Sequence, residues 1–242
     1  MTRFAILLLA IAVSCEVSKA DLIGLYEFNG DFSNSYGTLP ALTPQTNGGF
    51  SGFNSGTWEW DGDTAPGEGL QLSLSSPLSV YSVGIIFRYS QVDAYRKVLD
   101  YADQTSDDGL YVVDGSFLPW PYTEILEGSI AADTTTTIIL TRDAGGTIAF
   151  YQNGSSTPLF TRDDDDDAYV AATTLSFFLD DNVTGGEFSS AGSVAEIRVW
   201  DTALSAAEIP DAFAPIPEPA ATTALIGLGA LVLALSRRRG RN

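Results

Sequence analysis

Ser193-Val194-Ala195-Glu196-Ile197-Arg198-Val199-Trp200-Asp201, followed after Thr202 by Ala203-Leu204-Ser205-Ala206-Ala207-Glu208-Ile209-Pro210, decides the fold. The first half, Ser193 to Trp200, is rich in β-branched and apolar residues and predicts a strand. The second half is a capping box. The Ser205 hydroxyl caps a helix start and Glu208 reaches back to it, while Leu204 and Ile209 sit where a hydrophobic staple closes. Pro210 then stops the helix. Amphipathic helix pattern is nearly absent elsewhere in the middle of the chain, so this single turn closes a domain made of strands.

Working outward, strand candidates recur at turn-delimited spacing. They are Leu22 to Phe28, Leu70 to Leu74, Val80 to Arg88, Lys97 to Tyr101, Gly109 to Val113, Thr136 to Thr141, Thr147 to Gln152 and Thr174 to Leu179. Val80 to Arg88 is apolar on both faces, as a central strand covered on both sides must be. Asp143-Ala144-Gly145-Gly146 is a hairpin loop between two of these runs. Asp103 to Asp108 is an acidic turn between two others. Roughly a dozen short strands with polar turns between them predict an all-β sandwich or barrel.

Several short motifs resemble those of LamG-like, concanavalin A-like domains. Leu25-Tyr26-Glu27-Phe28-Asn29-Gly30 is similar to their opening strand. Tyr95-Arg96-Lys97-Val98-Leu99-Asp100 with Asp107-Asp108-Gly109-Leu110-Tyr111, and Phe177-Phe178-Leu179-Asp180-Asp181-Asn182, resemble a bacterial branch of the group. Phe150-Tyr151-Gln152-Asn153-Gly154 resembles a hairpin strand, and 194–209 the closing strand and turn. The resemblance runs over nearly all of 21–213. It implies a jelly roll of two antiparallel sheets, and it implies no single activity, because the group includes sugar-binding, protein-binding, glycanase and structural modules.

Charge narrows the partners. The chain has 12 Lys+Arg, 31 Asp+Glu and a formal net charge of −19. Six of the basic residues lie in the terminal segments (Arg3, Lys19, Arg237, Arg238, Arg239 and Arg241), and Glu16 is the one acid outside 21–219. The middle of the chain is therefore more acidic than the whole. Such a surface repels phosphate backbones, so nucleic acid is not an expected partner. There is no histidine, which removes the Ser-His-Asp triad and most transition-metal sites. The single cysteine is Cys15, in the N-terminal segment, so a chain cut before Asp21 has no thiol.

The two ends predict export. Arg3, the short apolar run Phe4 to Val13 and the small residues of Ser18-Lys19-Ala20 predict a secretory signal peptide over 1–20, cleaved before Asp21. Lipidation at Cys15 is the alternative, although Ala12 stands where a lipobox usually has Leu. At the other end, Pro217-Glu218-Pro219 precedes an uncharged, apolar stretch, with a transmembrane helix expected over 220–236. At ~1.5 Å per residue this is near the short limit for a bilayer span. Arg237, Arg238, Arg239 and Arg241 then act as a cytoplasmic stop. This order over 214–242 resembles the PEP-CTERM sorting signal. The resemblance implies an exosortase-type sorting enzyme as partner, a membrane contact before processing, and release to the cell surface or matrix afterwards; a permanent single-pass anchor is the alternative.

Three groups in the middle bear on chemistry. Glu59-Trp60-Asp61-Gly62-Asp63 echoes the acidic strand of laminarinase-type enzymes, but Asp61-Gly62-Asp63 reads as a turn, so no catalytic residue is expected and the chain is not read as an enzyme. Calcium is an optional ligand, at Asp180, Asp181 and Asn182 with help from Asp100, Asp107 and Asp108, because it takes several hard oxygens. The run Asp163 to Asp167 reads instead as a solvated, self-repelling loop. Phe117, Trp120 and Tyr122 lie in a stretch whose prolines, Pro119 and Pro121, predict a loop. They are candidates for stacking on sugar rings, against the reading that they seal one end of the sandwich. The expected function is a non-catalytic surface module that binds polysaccharide or another matrix component. The alternatives are a structural matrix protein without a discrete ligand and, more distantly, a glycoside hydrolase.

Overall fold

Side chains that alternate along an extended chain leave one apolar face, which is buried by laying two such sheets together. In the computed structural model the residues described are 20–46, 49–62, 68–122, 124–126, 128–181, 183 and 190–216. They contain β1 (Leu22–Tyr26), β2 (Thr43–Gln45), β3 (Ser51–Asn54), β4 (Thr57–Trp60), β5 (Gly69–Ser73), β6 (Tyr81–Tyr89), β7 (Tyr95–Asp100), β8 (Gly109–Val113), β9 (Ser116–Trp120), β10 (Thr136–Arg142), β11 (Thr147–Gln152), β12 (Phe160–Asp163), β13 (Thr174–Phe177) and β14 (Gly192–Trp200).

One sheet runs β12-β11-β10-β6-β14-β4-β3, and β1 pairs with β14 beside β4. The other runs β2-β5-β13-β7-β8-β9. Every strand pair is antiparallel. The long strands β6 and β14 are central, which is why β6 is buried on nearly every residue. β14 holds β6 on one edge and, on the other, β1 at its C-terminal end and β4 at its N-terminal end. Between the sheets lies one core, drawing Val83, Ile85 and Phe87 from β6, Leu99 from β7, Phe177 from β13 and Val199 from β14.

Tight turns set the register where the sequence asks for them. The Asp143 carboxylate accepts from the N–H groups of Gly145 (2.8 Å) and Thr147 (2.9 Å), fixing the β10–β11 hairpin. The Asp114-Gly115 turn, with φ of 47° and 78°, joins β8 to β9. This corrects the expectation of a loop over Phe117 to Tyr122: Ser116–Trp120 is a strand. It tolerates Pro119 because it is the edge of its sheet, where a missing N–H breaks no ladder bond.

The chain divides into two compact units, Met1–Pro210 and Asp211–Asn242. In the second, the described residues 211–216 make a turn in which the Ala214 N–H donates to the Asp211 carbonyl at 2.9 Å. One of the two expected capping contacts forms: the Glu208 carboxylate reaches back to accept from the Ser205 N–H at 2.9 Å, whereas the Ser205 hydroxyl donates to that carboxylate at 2.7 Å and the Glu208 N–H donates to the Ser205 carbonyl at 2.9 Å. The helical turn itself differs from expectation. It is a 3₁₀ helix, Ile209–Asp211, with Pro210 inside it and not at its stop. Among the described residues no helix is long and apolar enough to cross a membrane. Residues 1–19 of the expected signal segment, Asn182, Asp63, Pro217-Glu218-Pro219, the helix expected over 220–236 and the terminal arginines lie outside the described residues.

Candidate functional site

Sheet pairing brings distant acids together at one end of the six-stranded sheet. β13 lies beside β7, with Ser176 opposite Asp100 and Phe177 opposite Leu99. The chain then bends at Phe178, whose φ is 63° and whose N–H donates to the Val98 carbonyl. Asp180 and Asp181 are thereby carried to the β7–β8 turn, where Asp107 lies. Carboxylate oxygens of Asp107, Asp180 and Asp181 all lie within 4.8 Å of one another. Gln104 ties the two segments: its backbone N–H donates to Asp100 Oδ1 (2.9 Å) and its side-chain amide to the Asp180 carbonyl (2.7 Å).

A cation of the chain's own lies against this cluster. Between β7 and β8 the register slips, so that Lys97 faces Tyr111 while Leu99 faces Leu110. This bulge re-aims the Lys97 side chain, as bulges do. Lys97 is fully buried. Its Nζ donates to the Asp107 carbonyl (2.9 Å) and to the Tyr111 hydroxyl (2.9 Å). It lies 3.5 Å from Asp100 Oδ2, 3.9 Å from Asp180 Oδ1, and 4.2 Å above the Tyr111 ring. The Tyr111 hydroxyl in turn donates to Asp180 Oδ1 at 2.9 Å. Burial pushes the Asp100 carboxyl up to about 6, against the opposing pull of Lys97. Asp180 is raised by the same cause. Asp108 turns to another partner, accepting from the Ser106 hydroxyl.

The three aromatic candidates separate. Phe117 is fully buried, with its ring 4.9 Å from that of Phe150, and offers no face to a sugar. That corrects the expectation, and the Asp-Gly turn before β9 is the signal that points to it. Tyr122 is half-buried. Its hydroxyl donates to Asp164 Oδ1 at 2.6 Å, its ring lies parallel to Tyr169, and the Arg162 guanidinium lies 4.5 Å above it. Trp120 packs, still partly exposed, against Tyr111, Val113 and Leu118 on the outer side of β8 and β9.

The aspartate run also departs from the solvated loop expected of it. Asp164 is buried and accepts from Arg142 Nε (2.8 Å), the Tyr122 hydroxyl and the Tyr169 N–H. Asp167 takes a second nitrogen of Arg142. Arg142, Gly146, Asp163, Asp164, Asp165 and Asp167 help line a depression of about 330 Å³.

The Glu59 to Asp63 stretch gains a partner that sequence reading missed. Asp61 faces Glu68, a fully buried acid raised first by burial and then by the Asp61 charge. A Cβ on Gly49 would lie 2.3 Å from an oxygen of each, so a larger residue there would displace the pair. Glu59 accepts from the Asn54 amide at 3.2 Å.

Past the sandwich, the sequence turns proline-rich, then apolar, then arginine-rich. Residues 215–239 match the PEP-CTERM protein-sorting motif. This motif implies recognition by an exosortase-type enzyme and export to the cell envelope or surface. No curated protein matches the chain. Solved structures do match the sandwich ahead of the motif. Domain 4 of AbnA, a GH43 extracellular arabinanase from Geobacillus stearothermophilus solved with arabinotriose, is 20% identical, with a TM-score of 0.62 over 80% of this chain and 98% of that one. A botulinum neurotoxin type C structure, whose cell entry depends on two ganglioside molecules, is 10% identical, with a TM-score of 0.56 over 81% of this chain and 50% of that one. A Trypanosoma rangeli sialidase is 12% identical, with a TM-score of 0.56 over 78% of this chain and 32% of that one. At these identities the likeness is one of fold.

Proposed function

We propose that the chain is an exported, non-catalytic binding module of the cell surface or extracellular matrix. An exosortase-type system delivers it, and its sandwich, of the LamG/concanavalin A-like jelly-roll type, meets a polysaccharide or another matrix component. The observation that carries this reading is the sorting motif placed directly behind one all-β sandwich. Structures of like fold include an arabinanase domain solved with arabinotriose and a ganglioside-dependent toxin. On this chain the side chain best placed to stack on a sugar ring is Trp120, partly exposed on the edge strand β9. The apolar stretch 220–236, expected to span as a helix, holds the protein in the inner membrane until the motif is processed.

The non-catalytic reading draws on the acids. Retaining glycosidases hold two carboxyl groups ~5–5.5 Å apart, across a sugar. Asp61 and Glu68 instead interact directly and bury their oxygens over Gly49. The second reading, a structural matrix protein with no discrete ligand, draws on Phe117 and Tyr122, whose rings are engaged in packing.

A glycan array probed with the purified mature protein tests the proposal. Binding to a defined polysaccharide that Trp120→Ala removes supports a binding module. Silence across the array favours the structural reading, and turnover of a bound glycan overturns the non-catalytic one.

A further inference from the structure

We propose that Lys97 is the resident cation of the acidic cage formed by Asp100, Asp107, Asp180 and Asp181, and takes the place that a calcium ion would otherwise fill. Calcium seeks a shell of hard oxygens, from carboxylates and backbone carbonyls. Nζ of Lys97 already has such a shell: the Asp107 carbonyl and the Tyr111 hydroxyl at 2.9 Å each, Asp100 Oδ2 at 3.5 Å and Asp180 Oδ1 at 3.9 Å. The side chain is entirely shut off from water. It has no solvated position to retreat to when a metal arrives.

The residues therefore do not fit calcium while Lys97 is present. An ion held by Asp107, Asp180 and Asp181 would bond Asp180 at ~2.3–2.6 Å. Asp180 Oδ1 is 3.9 Å from Nζ, so two cations would share one carboxylate in a buried site, where like charges are weakly screened. A tethered ammonium also needs no ion from the medium. The β7–β8 turn and the segment after β13 are held together whether or not calcium is present outside the cell. Its removal leaves buried carboxylates without their counter-charge, the condition under which a cluster of acids takes up a metal or a proton.

The experiment compares calcium responses of the full mature protein with those of Lys97→Met, which keeps an unbranched side chain and removes the charge. Melting temperatures are read in chelator and in millimolar calcium. The wild type should shift by less than about 1 °C, while Lys97→Met should melt lower in chelator and rise by several degrees with calcium, as mass action requires of a site filled well above its dissociation constant. A wild-type rise equal to or larger than that of Lys97→Met overturns the proposal, as does a folded Lys97→Met that ignores calcium. A second measurement does not depend on Lys97→Met folding. Calcium titrated calorimetrically into wild type and into Asp180→Asn/Asp181→Asn should give equal stoichiometry. Fewer calcium ions bound by the double variant overturns the proposal.

Discussion

Arg142 Nε and Asp164 Oδ2 meet at 2.8 Å with almost no water access to either side chain. One acid of a run of five is thus an interior residue. Removing one partner of a buried pair strands the other charge and costs about 3–5 kcal/mol. Asp164→Ala should lower the melting temperature by roughly 10 °C in a domain of this size. Asp165→Asn and Asp166→Asn, on exposed positions, should stay within about 0.5 kcal/mol of wild type. Thermal melts of the three variants check this, and equal effects at all positions would return the run to a plain solvated loop.

Stability should rise on mild acidification. Asp100 is raised from 3.8 to about 6, and Glu68 and Asp180 are raised too, in each case first by burial. A carboxyl whose folded value lies above its unfolded value binds its proton more tightly in the native state. The resulting stability is complete below the unfolded value and is lost as pH climbs through the folded one, here between about 4 and 6. For Asp100 the difference is of order 1–3 kcal/mol. Urea unfolding at about pH 5 and about pH 7.5 should show the higher midpoint at pH 5, and Asp100→Asn should flatten that difference. A higher midpoint at pH 7.5 would contradict the assignment.

Two aromatic residues three positions apart should behave in opposite ways. Phe117→Ala empties a core site against Phe150 and should cost about 3–5 kcal/mol. Trp120→Ala removes a partly exposed ring and should cost markedly less. If the module binds glycan through that ring, Trp120→Ala should abolish binding while leaving the fold intact by circular dichroism. Loss of structure in Trp120→Ala would show that its ring serves packing.

The match at 215–239 leads to a prediction about maturation. In a host with the sorting enzyme, a tag placed after Asn242 should separate from the sandwich, and the sandwich should leave the inner membrane. Immunoblots of fractionated cells, with antibodies to tag and sandwich, read this directly. One full-length membrane species carrying both would establish a permanent anchor. Mass spectrometry of the same material should place the mature N-terminus at Asp21.

Much of the fold was legible because periodicity and turns agree. Val80 to Arg88 was read from its two apolar faces, and the strand is Tyr81–Tyr89. The β9 strand was hidden because proline signals a loop locally, and only topology reveals that this stretch is an edge. Lys97 was hidden for a different reason. A lysine beside apolar residues looks like a solvent-facing position, and the one-residue slip opposite Tyr111 that buries it depends on pairing, which sequence spacing does not encode. Glu68 escaped notice because a single acid ahead of an apolar strand carries no sign in the sequence that it is buried beside Asp61. The acids Asp107, Asp180 and Asp181 were legible as a group, since the apolar strand ahead of Asp180 marks an ordered position.

The pairing of β1 with β14 has a consequence for how the exported protein is made. Leu22 lies opposite Trp200, and β14 also supplies an edge to β4 and to β6. The last strand to emerge is therefore the keystone of its sheet. A chain threaded outward from its N-terminus presents β1, the far edge of the β3–β4 hairpin and one edge of β6 with no mate until almost the whole domain has crossed. Pairings this distant along the chain make slow, late-closing folders, and open strand edges invite wrong partners meanwhile. Local hairpins such as β3–β4 and β10–β11 need no strand from the far end, but the eight-stranded sheet closes only once residue 200 is across.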